Sequence, residues 1–334
     1  PDLEADSQET RNRNHTSFSA LRSGYNDLEK KRQRRSVRCN VDQAIRYAGQ
    51  TDRGRKREVN QDHFMAAALG RSLRVEASSL EIDSGSRLFG NALGHLLLVA
   101  DGMGGHRAGD RASELAIQYL IAGVLNSTHW LFEPGDQAET QFNMDLKAML
   151  LAAHRAIVAD SRTEASYHGM GTTLTMSYIV WGKMWIVHAG DTRCYLFRNG
   201  TLEQITHDHT MAEQFYGRDA ASSVRSPWAN VLWNALGADA KEITASLYEV
   251  DLRLGDRILL CSDGLNKHVS DDQIASFLGQ PLEPQAICAS LIDLANQGGG
   301  SDNITTIVEV EVRTLYTIDV SSPESAETTT EERA

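Results

Sequence analysis

Long apolar runs, paired cysteines and a signal segment are all missing from this sequence of 334 residues. No apolar stretch approaches the roughly 18 residues of a membrane helix, which excludes a membrane span. The four cysteines are scattered without a CxxC pair, which favours buried thiols over disulfides and indicates a reducing compartment. The sequence as given does not open with a charged and then apolar segment, so we expect a cytoplasmic protein.

An excess of basic residues is missing too, because the net charge is −12 at pH 7. This balance argues against a general nucleic-acid binder, and we expect no nucleic-acid partner. It suits a protein that holds cations between clustered carboxylates.

The two ends of the chain differ in composition from its middle. Residues 1–40 are polar with few apolar anchors and predict a disordered or loosely attached arm. The basic cluster in this arm, Lys30–Arg38, favours a solvated linker, with a docking arm for an acidic partner as the alternative. Residues 315–334 predict a disordered, acidic, Ser/Thr-rich tail, which leaves residues 41–314 as one domain.

Short strand-like runs are grouped in the middle of the chain, and amphipathic helical patterns lie between the groups. Three such runs follow one another within residues 172–197, and Gly182 and the Asn199–Gly200 pair supply hairpin turns. A doubly wound parallel sheet would need strand–helix alternation, which this stretch lacks. The pattern therefore predicts an α+β fold of antiparallel sheets covered by helices.

Five aspartates share one setting, at the edge of a strand-like run beside Gly, Ser or Asn. They are Asp62, Asp101, Asp191, Asp263 and Asp302. An isolated aspartate at a strand end is typical of turns. If the strand ends converge, however, the carboxylates raise each other's pKa unless a cation neutralises them. Oxygen ligands without cysteine or paired histidine favour Mg²⁺ or Mn²⁺ over Zn²⁺.

Seven short motifs also stand in one order along the chain. They are RKREVNQDHF, LLLVADGMGGHRAG, GMGTTLT, VHAGDTRCYLFRNG, ITHDHT, LLCSDGL and GGSDNITTIVEVEV. Together they resemble the metal-dependent protein phosphatases of the PP2C (PPM) family, in their bacterial form. A single Asp-Gly pair is a weak signal, but seven ordered motifs are specific, and the resemblance runs from about Ile45 to Val312.

The resemblance implies a four-layer αββα sandwich, two antiparallel sheets flanked by helix pairs, with a two-metal centre of Mn²⁺ or Mg²⁺ at one end. By position, Asp101 matches the carboxylate that bridges the ions, and Gly102 matches the residue that gives its carbonyl oxygen to one of them. Asp263 and Asp302 match the carboxylates of the other ion. Asp191 matches the acid that joins Asp263 around an additional ion in bacterial relatives.

The resemblance also implies residues around the ions. Arg57 matches the catalytic arginine that grips the substrate phosphate, for which a planar guanidinium is suited. Asp62 matches an acid that supports the metal centre through water or hydrogen bonds. Gln61 stands where the family usually has Glu, so metal affinity there is expected to be weaker. Gln61, Asn303 and His209 are expected next to the ions or the substrate.

The activity that the resemblance implies is hydrolysis of phosphoserine and phosphothreonine on proteins by a hydroxide that bridges two metal ions. No phosphoenzyme is needed, which agrees with the lack of a Cys-x5-Arg loop. The expected partners are phosphorylated substrates of Ser/Thr kinases, bound by a monomer with a flap over residues 211–234. The alternative is a regulatory pseudophosphatase that binds a phosphoprotein or kinase without turnover, which Gln61 favours.

Overall fold

The computed structural model of the protein describes residues 46–74, 87–126, 136–180, 182–217 and 227–310, whose strands form two antiparallel sheets. All of these residues belong to the unit that begins at Ile45. The predicted arm with its basic cluster and the predicted tail lie outside the described residues.

The first sheet is built from strands that are far apart in the chain. In spatial order they are β1 (Arg46–Asp52), β12 (Ile304–Val310), β11 (Arg257–Cys261), β7 (Arg193–Arg198) and β8 (Thr201–Gln204). The hairpin between β7 and β8 turns at Asn199 and Gly200, with φ angles of 52° and 83°. Two consecutive positive φ angles suit the tight turn predicted at this pair.

The second sheet contains the two longest strands. In spatial order it has β10 (Ser246–Asp251), β6 (Lys183–Ala189), β5 (Leu174–Val180), β3 (Arg87–Met103), β4 (Gly171–Thr172) and β9 (Leu236–Gly237). Beside them, β2 (Asp62–Arg74) pairs with β3, from Asp62 opposite Asp101 to Arg74 opposite Arg87. The start of β2 and the end of β3 therefore lie together at one edge of the molecule.

Helices cover the outer face of each sheet. They are α1 (His106–Asn126) and α2 (Asp136–Asp160) on the second sheet, and α5 (Asp271–Leu278) and α6 (Pro284–Gln297) on the first, with short helices α3 (Met211–Tyr216) and α4 (Asp263–Asn266) in connections. On α2, Leu146, Leu150 and Ile157 recur at helical spacing and are fully buried in one cluster with Leu96 and Leu98 of β3.

The layer between the sheets explains why the run that ends at Asp101 is continuously apolar. Leu97 and Val99 of β3 alternate with the helix-facing leucines and pack in a second cluster with Leu260 of β11 and Ile307 of β12. Because β3 is covered on both faces, both sets of side chains must be apolar. The layers are helix, sheet, sheet and helix, so the predicted αββα sandwich is confirmed.

A buried histidine–glutamate pair joins the two sheets. Nδ1 of His95 on β3 lies 2.9 Å from Oε1 of Glu309 on β12, and both side chains are buried. The neighbours Val308 and Val310 belong to the cluster under the helices. Glu309 therefore points between the sheets, and the pair fixes how β3 and β12 are placed against each other.

Two predictions drawn from what the sequence lacks can be compared with the described ranges. In these ranges no helix combines the length and the apolar character that crossing a membrane requires. Cys194, Cys261 and Cys288 are buried free thiols, as predicted, and Cys39 lies outside the described residues. Burial raises the pKa of Cys261 to about 12, so this thiol is protonated and unreactive at neutral pH.

Candidate metal centre

The five strand-end aspartates lie at the same end of the two sheets. Asp62 begins β2 opposite Asp101, near the end of β3, and both belong to the second sheet. Asp191 lies in the turn between β6 and β7, which joins the two sheets. Asp263 directly follows Ser262 after β11, and Asp302 precedes β12, on the first sheet. The structure brings together acids that the sequence keeps far apart.

A cleft of about 390 Å³ opens where these strand ends meet. Its lining includes Asp101, Asp191, Asp263 and Asp302, together with Gly102, Arg57 and Gln61. Asp62 is buried behind this lining, close enough to interact electrostatically with the carboxylates. The cleft is therefore a strongly acidic cavity with one arginine at its wall.

The chain can bring Asp101 to the cleft because glycines follow it. A Cβ atom at Gly102 would lie 2.1 Å from the carbonyl oxygen of Gly109, so only glycine fits there. The carbonyl oxygen of Asp101 accepts hydrogen bonds from the hydroxyl of Thr172 at 2.8 Å and the amide of Thr173 at 2.9 Å. Backbone contacts on both sides thus fix the position of this carboxylate.

Asp62 and Asp191 are buried and Asp101 is partly buried, and these three acids have no ion-pair contact with a basic side chain among the described residues. Burial first, and neighbouring carboxylates second, raise the pKa of Asp101 and of Asp191 well above the usual value. Burial also raises the pKa of Asp62 to about 6, although the hydroxyls of Ser262 and Thr305 each donate to its Oδ2 at 2.7 Å. Within the described residues no lysine or arginine forms an ion pair with any of the three. Such a set favours a bound cation.

Asp263 and Asp302 differ because cationic side chains contact them. Lys267 forms ion pairs with both, and its Nζ lies 2.8 Å from Oδ2 of Asp302. Arg57 reaches the two oxygens of Asp302 through Nε at 2.6 Å and Nη2 at 2.8 Å. Burial acts to raise the pKa of Asp302, but the hydrogen bonds from Arg57 and Lys267 outweigh it and the pKa is lowered. Burial raises the pKa of Asp263, against the charge of Lys267.

The predicted phosphate-binding arginine lies at the cleft but is engaged with a carboxylate. The side chain of Arg57 is half exposed, and its hydrogen bond to Asp302 is the first cause that raises its pKa. A guanidinium carries five N–H donors, of which the contacts with Asp302 use two. Arg57 is therefore held in place by the acid cluster, with donors left over for an oxyanion.

Asn303 and Gln61 hold the loop between β1 and β2, on which the arginine stands. The Asn303 side chain accepts from the amide of Gln61 at 3.0 Å and donates to the carbonyl oxygens of Arg53 and Val59 at 2.9 Å each. The Gln61 side chain donates to the carbonyl oxygen of Gly105 at 2.7 Å. Both residues, predicted to surround the ions or the substrate, shape the wall of the cleft through the backbone.

His209 acts on the turn that carries Asp191. Its Nδ1 accepts from the amide of Gly190 at 3.1 Å and from Nδ2 of Asn234 at 2.7 Å, so its Nε2 carries the proton that Ser246 Oγ accepts at 3.0 Å. Burial lowers the pKa of His209 to about 4, so the ring is neutral at pH 7. His209 does not line the cleft, and its hydrogen bonds support the turn that carries Asp191, which fits the predicted place near the ions, while the contact with substrate stays a prediction.

Lys267 is the residue that the sequence analysis missed. It follows Asp263 by four positions, the spacing at which helical side chains form ion pairs. That spacing was the available signal. No sequence signal predicted the contact of Lys267 with Asp302, because Asp302 lies in a different part of the chain.

The two-sheet fold and the acidic cleft define a class, and the chain belongs to it: it is a member of the protein phosphatase 2C family. Residues 83–291, more than half of the chain, match this family. The chain is 37% identical over 267 residues to the serine/threonine protein phosphatase PstP of Mycobacterium tuberculosis, which covers 79% of this chain and 44% of that protein. It thus spans less than half the length of this relative.

Other relatives match over more of their own length. Identity to the serine/threonine phosphatase stp of Listeria welshimeri is 33% over 216 residues, which covers 64% of this chain and 83% of that protein. The crystal structure of the catalytic domain of PstP in complex with two manganese ions is 34% identical, with a TM-score of 0.62, and covers 80% of this chain and 99% of that chain.

Proposed function

We propose that this protein hydrolyses phosphoserine and phosphothreonine esters on proteins, with two divalent cations, Mn²⁺ or Mg²⁺, held in the acidic cleft. The observation that carries the proposal is the convergence of Asp101, Asp191, Asp263 and Asp302 on one cleft beside Arg57. The family membership and the two manganese ions of the PstP catalytic domain support it.

The donor set fits a hard cation. Oδ1 of Asp62 and Oδ1 of Asp263 are buried and have no hydrogen-bond partner within the described residues. In the same ranges no three acidic, histidine or cysteine side chains are arranged so that they could hold a metal ion as they stand, and Lys267 and Arg57 contact the oxygens of the first-sheet acids. Asp101, with the carbonyl oxygen of Gly102, would hold one ion. Asp263 and Asp302 would hold the other ion once Lys267 and Arg57 give up part of their contact with these carboxylates.

When bound, divalent cations lower the pKa of a coordinated water and stabilise charge on phosphoryl oxygens. The chain supplies the rest. Arg57 orients the phosphate by parallel N–H donors, while Asp62 is fixed by Ser262 and Thr305 and sets the position of the strand ends. We infer that water attacks phosphorus directly, as the resemblance implies; in agreement, the described cysteines Cys194, Cys261 and Cys288 are buried and none lines the cleft as a nucleophile.

We infer protein rather than small-molecule substrates from the surface beside the cleft. Asn230 and Leu232 line the cleft, and the neighbouring Trp228, Val231 and Trp233 are each at least 40% exposed. An apolar surface next to a phosphate site suits the polypeptide around a phosphorylated residue. We expect the substrates to be proteins that Ser/Thr kinases have phosphorylated. That the protein is a monomer and is cytoplasmic stays a prediction.

The test is release of phosphate from a phosphothreonine peptide while Mn²⁺ is titrated into chelator-treated protein. We expect turnover that requires Mn²⁺ and stops when the chelator is restored. Calorimetry on the same sample measures binding of Mn²⁺. Binding of the ion and the peptide without any release of phosphate would overturn the proposal in favour of the regulatory pseudophosphatase.

A further inference from the structure

We propose that Lys267 is a built-in cation of the acidic cleft, which neutralises Asp263 and Asp302 and thereby weakens binding of a divalent ion between them. The inference rests on the proposed metal centre but concerns a residue that the resemblance does not involve. Lys267 then sets the Mn²⁺ concentration at which the site between Asp263 and Asp302 is occupied.

The position of the ammonium group carries the argument. Lys267 Nζ contacts Oδ2 of Asp263 and lies 2.8 Å from Oδ2 of Asp302, so one positive charge is shared between two carboxylates. Its side chain is only 25% exposed, and each carboxylate is 13% exposed. An ammonium is a compact charge with three donors, which lets it serve both acids at once.

Oδ2 of Asp263 and Oδ2 of Asp302, which the ammonium contacts, are among the oxygens that a divalent ion between these acids would use. Repulsion between the ion and the ammonium opposes binding at these oxygens, and an ion that uses Oδ2 of either carboxylate must move Lys267, although Oδ1 of Asp263 has no hydrogen-bond partner among the described residues. The other oxygen of Asp302 already accepts from Arg57. An ion that enters here therefore competes with a cation whose effective concentration is fixed by the chain.

The remaining acids show where the uncompensated charge lies. Among the described residues, neither Asp101 nor Asp191 has an ion pair with a basic side chain. The contacts of the ammonium group are thus confined to the first-sheet half of the cleft, although its charge also acts on Asp191. We expect the two halves to fill at different Mn²⁺ concentrations, with the Asp263–Asp302 half filling last.

The experiment compares Lys267→Met with Lys267→Arg, which keeps the charge. A matched control is Lys183→Met, because Lys183 pairs with Glu249 at 2.5 Å and is 29% exposed, far along the second sheet. Chelator-treated proteins are titrated with MnCl₂ by isothermal calorimetry, and their melting temperatures are measured in EDTA.

We expect Lys267→Met to raise the affinity of the weakest Mn²⁺ site at least about tenfold and to lower the melting temperature in EDTA. Lys267→Arg and Lys183→Met should keep the weak site of the original protein. Identical Mn²⁺ isotherms for the original protein and Lys267→Met would overturn the role of Lys267 but leave the proposed metal centre in place. No Mn²⁺ binding by either protein would overturn the metal centre, and with it both proposals.

Discussion

The two halves of the acidic cleft differ in how the negative charge of their carboxylates is balanced. On the first sheet, Asp263 and Asp302 meet cationic side chains that the chain itself provides. On the second sheet and in the turn that follows it, Asp101 is partly buried and Asp191 is buried, and neighbouring carboxylates raise the pKa of both. The cationic contacts offset part of the charge of the first half, whereas a bound cation would lower the free energy of the second half, where neither acid has an ion-pair contact among the described residues.

This difference predicts which acids stabilise the fold without metal and which would do so only with a bound cation. A buried charge with a partner costs stability when the partner is removed, because an uncompensated charge remains. A buried charge without a partner behaves in the opposite way, because its removal relieves repulsion. Substitutions in the two halves should therefore have opposite effects on stability in a chelator.

The largest effect is expected for Asp101→Asn. We expect metal-dependent turnover to fall by at least about 10³-fold, because electrostatic stabilisation at the reacting phosphate is lost. In EDTA the same variant should melt at a higher temperature than the original protein. Asp302→Asn, the counterpart in the compensated half, should melt at a lower temperature because it leaves Arg57 and Lys267 without their shared acid. If both variants shift melting in the same direction, the comparison between the two halves is wrong.

A smaller loss of activity is expected for Arg57→Ala. Hydrogen bonds to charged groups contribute about 1.5–3 kcal/mol, so kcat/KM on a phosphothreonine peptide should fall about 10- to 100-fold. Steady-state kinetics would show the loss mainly as a raised KM. Arg57→Lys keeps the charge but not the planar fork, and should recover part of the loss. Unchanged KM in Arg57→Ala would remove this residue from phosphate binding and leave it as a partner of Asp302 only.

Asn303→Ala tests whether the stability of the first-sheet half of the cleft also depends on the hydrogen bonds that hold the loop of Arg57. The substitution removes the hydrogen bonds to Gln61, Arg53 and Val59. We expect the free energy of unfolding in urea to fall by about 2–3 kcal/mol, because buried backbone groups lose their partners. Asn230→Ala, at an exposed position of the cleft, is the control and should change it by less than about 0.5 kcal/mol.

The smallest effect is a pH dependence of the Asp101→Asn stabilisation in EDTA. Because the pKa of Asp101 is raised on folding, the folded protein takes up this proton before the unfolded chain does as pH falls. The charge that costs stability is thus present at high pH and lost at low pH. The gain in melting temperature should be largest near about pH 8 and shrink toward about pH 5. Comparing the two proteins cancels the opposite contribution of His188 and His209, whose pKa values burial lowers. A gain that does not depend on pH would mean that Asp101 is not the group that titrates.

The sequence predicted features that depend on neighbouring residues, such as strands, turns and the repeated setting of the aspartates. The apolar run before Asp101 and the glycines after it predicted a strand that ends at a close turn, and the cleft depends on that arrangement. The five aspartates could be selected because each stands in the same setting. Their convergence required the pairing of the strands, which the order of motifs indicated only through the resemblance.

What could not be predicted are the partners of these residues across the fold. Lys267 lies 35 residues before Asp302, and the hydroxyls that hold Asp62 come from Ser262 and Thr305. His209 stands in a motif that indicated a structural and substrate-contact role, but the motif did not show that its ring would hold the turn of Asp191. Such roles depend on which side chain fills a given space after packing, and pattern along the chain does not encode that.

The buried pair of His95 and Glu309 has a consequence for how the protein is made. Its two members are 214 residues apart in the chain, and the hydroxyls that hold Asp62 are 200 and 243 residues away from it. Contacts over such distances form late, after the loops between them have closed. The cleft can therefore be completed only after β12, the last described strand, has left the ribosome. A nascent chain therefore carries most of its acids before it can form the cleft that the proposed activity requires.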